Sequence, residues 1–256
     1  MLGMLKHISL NFITKRKNEI LAVLYLMLAF FFLRSYFAVL NAPEDYLQGL
    51  SSKILYIHVP CAWLAVGIYI SMAFSSIAFL IYRNPVYDIT AEALSVIGMV
   101  FTSITLITGS IWGKPTWGTW WAWDARMTSV LVLFFIYVAY ICIKQALATQ
   151  PEKAAGAAAA FAVVGAINIP IIKLSVFLWS TLHQKSTFFR YDGPSIHSSM
   201  LEPIYYTLPF FVCSASIVFV LRFTAILLGN KIKRQKIAAL NQYNFNNSDL
   251  NASKQA

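Results

Sequence analysis

The sequence predicts an all-α integral membrane protein with six transmembrane helices and both termini in the cytoplasm. Composition comes first: of 256 residues, 59% are hydrophobic and only 12% are charged, about half the charged fraction of an ordinary soluble domain. Run length comes second. A helix needs about 20 mostly apolar residues to cross about 30 Å of hydrocarbon, and six stretches qualify: about 20–40, 57–81, 91–111, 128–147, 155–178 and 204–228. These runs are continuous rather than alternating, and too long for barrel strands, which excludes a β-barrel.

The third observation is charge placement. Lys6, Lys15, Arg16 and Lys17 precede the first run, and Lys231, Lys233, Arg234 and Lys236 follow the last. Arg83, Lys144 and Lys153 fall on the same side by parity, against Lys53, Lys114, Arg126, Lys185 and Arg190 in the opposite loops. Basic residues near span ends favour the cytoplasm, and an even number of spans leaves both ends there. The first run is too long for a cleavable signal peptide and reads as a retained span. Topology and anionic lipid account for the net charge of +10, so no nucleic-acid partner is needed.

Residues 1–240 read as one six-span domain. Residues 241–256, rich in Asn, Ser and Gln, read as a disordered cytoplasmic tail. Cys61, Cys142 and Cys213 are too far apart in sequence for a metal cluster and read as packing residues. No internal repeat stands out. Span two opens close to Pro60, placed in its first turn where a missing N–H costs little. In span five, Gly156 to Ala160 with Gly165 form a small-residue face suited to close helix approach. Pro170 and Pro209 are expected to kink spans five and six.

The loop between spans three and four is the chemical landmark. Five of the seven Trp of the chain, Trp112, Trp117, Trp120, Trp121 and Trp123, fall within twelve residues. An interfacial aromatic belt needs fewer. Such a shelf suits a large planar ligand that must be stacked and shielded from water, or else packs for its own stability. His58 opens span two and His183 follows the outer end of span five, both on the face of the Trp loop. His197 lies later on that face, and His7 lies on the other. Two imidazoles on opposite faces of a porphyrin make a six-coordinate haem iron, each nitrogen about 2 Å from the metal. Zinc would need more ligands. Arg126 is the preferred partner for a haem propionate, since guanidinium binds carboxylate bidentately; pairing with Asp124 or a lipid phosphate is its plainer alternative. Asp124 or Thr128 is placed to cap the fourth helix. No ATP-binding loop, nucleophile–base pair or zinc-protease helix is present, so no enzymatic activity is expected.

The stretch WGKPTWGTWWAWDARMTS, Trp112 to Ser129, resembles the tryptophan-rich signature of the haem-handling cytochrome c assembly family, and the ARMTS part resembles its CcmC branch. The resemblance continues through Tyr56-Ile57-His58-Val59-Pro60, Asn168-Ile169-Pro170 and Trp179-Ser180-Thr181-Leu182-His183, and covers about residues 10–235. It implies that His58 and His183 are axial ligands to haem iron. It also implies that Trp117, Trp120, Trp121, Trp123, Asp124 and Arg126 form the cofactor-binding Trp–Asp region. The cargo would be haem b, held transiently at the periplasmic face of the bacterial inner membrane and presented to the haem chaperone CcmE. The implied partners are the small protein CcmD, the ATPase CcmA and the membrane protein CcmB. Lys173, inside span five, departs from the family pattern and reads either as functional or as snorkelling to the interface. Arg34 and Arg222 have the outer and inner interfaces as resting places. The competing readings are a haem-containing electron-transfer protein and a transporter gated by the Trp-rich loop.

Overall fold

The computed structural model describes residues 2–179, 181–183, 188, 193 and 196–253, with side chains within 15–243. Among these the chain is helical almost throughout: α1 (Leu2–Asn41), a short 3-10 turn (Leu50–Ile54), α2 (Leu55–Tyr82), α3 (Pro85–Trp117), α4 (Ala125–Ala146), α5 (Pro151–Gly165), α6 (Asn168–Leu178) and α7 (Ser198–Ser253). Six helical segments are long and apolar enough to cross a membrane, α5 and α6 together making the fifth. The chain is a multi-pass membrane protein.

Helix α2 is the hub, packing on α3, α5 and α7, while α4 bridges α3, α5 and α6, and α1 packs chiefly on α7. The small residues of α5 do the work expected of them. Ala154, Ala155, Ala158, Ala159 and Ala162 are buried, and a side chain at Gly165 would collide with the Tyr69 hydroxyl. Tyr69 donates to the Ala162 carbonyl at 2.8 Å and Tyr137 donates to the Ala65 carbonyl at 2.9 Å. Their rings meet edge to face at 5.2 Å. Gly98 leaves the space that the Tyr137 hydroxyl fills. Two fully buried phenols thus reach backbone acceptors only because α3 and α5 carry no Cβ at the contact points.

Three expectations change. Pro60 is not in the first turn of its helix: α2 begins at Leu55, directly after the 3-10 turn, so Pro60 lies inside it. Pro170 breaks its span rather than bending it. Lacking an N–H it cannot bond back to Ala166, and the chain uses tighter turns instead, Ala166 N to Val163 O at 3.2 Å and Ile169 N to Ala166 O at 3.0 Å. Asn168 secures the break by donating to the Ser129 carbonyl of α4 at 2.9 Å. By contrast α7 passes through Pro203 and Pro209 without interruption, where the sequence predicts a kink at Pro209.

The end of the bundle opposite the Trp-rich loop carries a charge cluster that sequence reading treated as free topology charge. Lys144 of α4 bonds both carboxylate oxygens of Asp88 at 2.8 Å and reaches Glu92 at 2.9 Å. This clasp ties α4 to α3, and the Lys144 side chain is only 13% exposed.

Candidate haem site at the Trp-rich end

Helix α3 runs further than its apolar stretch indicates, so Trp112 and Trp117 stand on its last turns and only Trp120, Trp121 and Trp123 lie in the connecting loop. The extension closes at Gly118, whose φ of 77° is a left-handed cap that favours glycine. Lys114 holds the turn from outside by donating to the Gly118 carbonyl at 3.1 Å. The loop then folds against the helix: Ser110 donates to the Trp120 carbonyl at 2.7 Å, and Thr119 donates to that of Trp121 at 2.9 Å. Trp120 and Trp123 remain 56% and 78% exposed. Trp121 and Trp123 meet edge to face at 5.6 Å.

Asp124 ends the loop and starts α4. Its Oδ1 accepts from Met127 N at 2.7 Å, which makes Asp124 rather than Thr128 the cap. Its Oδ2 accepts from Leu182 N at 3.2 Å and lies 3.2 Å from Nδ1 of His183. A carboxylate only accepts, so His183 carries its proton on Nδ1 and leaves the Nε2 lone pair open. Burial pushes the His183 imidazole below the ordinary histidine range, Arg126 adds to that, and the Asp124 hydrogen bond opposes it. The contact is therefore a hydrogen bond from a neutral ring rather than an ion pair. Trp117 packs its edge on the same ring at 4.8 Å.

His58 repeats the arrangement with different partners. Its Nδ1 lies 3.0 Å from Oγ1 of Thr108. That hydroxyl donates its only proton to the Ile104 carbonyl at 2.7 Å, so it accepts from Nδ1–H and again leaves Nε2 open. Gly109 makes room: a Cβ there would sit 3.0 Å from Cε1 of His58. Trp112 meets this ring edge-on at 5.7 Å, and its own Nε1 donates to Gln48 at 2.8 Å. The Thr105 carbonyl also lies within hydrogen-bonding reach of the His58 ring, beside the Thr108 hydroxyl.

Arg126 lies within electrostatic reach of both histidines and of Asp124, and His183 within that of His58. The eight residues singled out from sequence thus gather at one end of the bundle. Trp117, Asp124 and His183 are in direct contact, Arg126 lies within electrostatic reach of both histidines, and Trp120 and Trp123 stand exposed as an apolar edge. Among the described residues Arg126 forms no ion pair, and the buried Nε1 of Trp121 has no acceptor. Two open imidazole nitrogens, a guanidinium and an orphaned indole N–H form a donor set that fits a planar iron complex bearing carboxylates.

The other candidates are otherwise occupied. His197 bonds Ser199 at 2.7 Å and accepts from its backbone N–H at 3.3 Å, acting at the start of α7. Lys53 donates to the Leu40 carbonyl at 3.0 Å. Lys185 and Arg190 lie outside the described residues. Arg34 bonds the Tyr206 hydroxyl at 2.6 Å and stacks on its ring at 4.6 Å, and Lys173 is exposed on α6. Sequence reading missed Gln48, Thr108 and Gly109. The one available signal was a Thr-Gly pair late in an apolar helix, which has no meaning until the helix opposite is known.

Comparison with known proteins decides the family. The family model for heme exporter protein C matches residues 7–238. The chain belongs to this family. It is 43% identical over 202 residues to heme exporter protein C of Bradyrhizobium diazoefficiens, covering 78% of this chain and 73% of that one. Heme exporter protein C of Escherichia coli is 41% identical over 200 residues, covering 78% and 80%. A ccmC-like mitochondrial protein of cytochrome c biosynthesis from Marchantia polymorpha reaches 46% over 200 residues, covering 78% and 84%. Heme exporter protein C is a family of membrane proteins of haem transport and cytochrome c biogenesis, not of catalysts.

Proposed function

We propose that this heme exporter protein C relative binds haem b as transient cargo at the periplasmic face of the inner membrane. It presents the haem to the chaperone CcmE for c-type cytochrome maturation. The observation that carries the reading is the pairing of His58 and His183, each with Nδ1 engaged and Nε2 open, around the shared charge of Arg126. His58 and His183 are the axial ligands. Arg126 and the Trp121 N–H take the carboxylates, and Trp117, Trp120 and Trp123 supply ring faces. Asp124 holds His183 in the ligating tautomer. CcmD, CcmA and CcmB complete the complex, and ATP is consumed there rather than in this chain.

Both imidazoles lie at one end of the bundle, which disfavours a relay of electrons across the bilayer. The test is the absorption spectrum of detergent-purified protein, oxidised and reduced. A six-coordinate low-spin haem is expected in the parent and loss of that spectrum in both His58→Ala and His183→Ala. Parent-like spectra in both variants would remove the ligand assignment.

A further inference from the structure

The two imidazoles are not held alike. His183 gives its Nδ1–H to a carboxylate that is itself pinned by Met127 N and Leu182 N. His58 meets only neutral acceptors, the Thr108 hydroxyl, whose proton is committed to Ile104, and the Thr105 carbonyl. A carboxylate partner draws the ring toward imidazolate and makes it a stronger donor to a metal; a hydroxyl does so far less. A site that must surrender its cargo is helped by one weak ligand, because opening a single coordination position admits the acceptor while the other ligand keeps its grip.

We propose that His183 is the retained ligand and His58 the exchangeable one, with Thr108 and Gly109 as the residues that position His58. This rests on the haem-binding reading above. In the exchange the iron–Nε2 bond to His58 breaks with its electron pair returning to Nε2, and the incoming donor fills the vacated position. No proton or electron is transferred. His183 follows a helix end rather than sitting within a helix, and its ring is held by the Asp124 carboxylate on Nδ1 and by Trp117 against its edge at 4.8 Å. For His58 the cradle is the absence of a side chain. The 3.0 Å approach to a Cβ at Gly109 means that even alanine displaces the ring.

The experiment uses haem-loaded protein in detergent, reduced, with carbon monoxide as the probe ligand. Carbon monoxide is expected to displace His58, so the parent's carbonyl complex should match that of His58→Gly and differ from that of His183→Gly in resonance Raman. Thr108→Val, which removes the hydroxyl on Nδ1–H and leaves the Thr105 carbonyl as the neighbouring acceptor, should speed carbon monoxide binding by up to about 10-fold, and Thr108→Ser should restore the parent rate. A parent carbonyl complex matching His183→Gly, or a Thr108→Val rate equal to the parent's, would overturn the assignment of His58 as the exchangeable ligand while leaving haem binding intact. Unaltered unliganded spectra in both histidine variants would instead remove the ligation reading itself, and this inference with it.

Discussion

One carboxylate, that of Asp124, starts helix α4 through Met127 N at 2.7 Å and fixes Nδ1 of His183 at 3.2 Å. A residue that begins as a helix cap is also the orienting group of a candidate metal ligand. The two roles are separable. Asp124→Asn keeps an oxygen for the cap but loses the charge on His183; Asp124→Ala loses both. Haem affinity is expected to fall about 10-fold or more in each, with the haem midpoint potential rising. Thermal stability should drop by about 1 kcal/mol only in the alanine variant. Haem titration, spectroelectrochemistry and melting in detergent read the three effects.

Acid should act through His183. Its folded-state pKa lies below the ordinary value of about 6.5 because of burial. The neutral ring therefore stabilises the fold fully above about 6.5, and that contribution is lost as pH falls through the depressed folded value. Haem retention is expected to be flat from neutral pH down to about 6.5 and to fall below it. Asp124→Asn should move the loss to lower pH where protonation of the free ring is followed, since the carboxylate favours the protonated form. A midpoint that moves upward in that variant would contradict the direction.

The outer indoles should be dispensable for folding and not for transfer. Trp120 and Trp123 are exposed, so replacing both by Leu is expected to change stability by less than about 0.5 kcal/mol. Transfer to CcmE should nevertheless fall. Trp121→Phe isolates the orphaned N–H: it keeps a ring, and haem affinity is the quantity that should weaken.

The Lys144 clasp predicts a stability defect far from the Trp-rich end. Lys144→Met leaves Asp88 and Glu92 facing each other without a cation and is expected to cost about 3 kcal/mol or more. The triple variant with Asp88→Asn and Glu92→Gln should recover most of it, with the haem spectrum unchanged throughout. Melting curves in detergent give the comparison.

Sidedness is checked by single added cysteines. Ser52 is buried and so unsuited to labelling. Tyr46 at 91% exposure and the exposed Thr116 serve instead. Cysteines there should react with an impermeant reagent from the periplasm, and those at Asn84 or Asn241 only after the inner membrane is opened. Cys142 is the exposed native thiol to remove first.

Much of this arrangement was legible in advance, for stated reasons. Span length and parity alone bring His58, the Trp-rich loop and His183 to one face, and Asp124 before an apolar run announces a cap. What stayed hidden depends on contacts between helices. The polar spacing of α3 shows no reason why Thr108 and Gly109 should face His58. Nor does hydropathy show that α3 carries Trp112 and Trp117 on its own last turns, since a Lys-Pro pair reads as a stop. Lys144 looked like a headgroup anchor because its partners lie more than fifty residues earlier.

The interruption at Ala166 and Ile167 divides the fifth span into two rods with separate duties. The first rod, α5, is wedged among the tyrosines, and its direction is set by them. The second rod, α6, is 11 residues long and ends five residues before His183. It is a lever of about 16 Å, so a swing of about 5° at the break carries its tip by about 1.4 Å. A displacement of that size would carry the retained ligand and whatever it holds, while Tyr69 and Ala162 stay where they are. The span therefore joins a rod anchored by the tyrosines to a second, separately directed rod, and the second leads to the histidine.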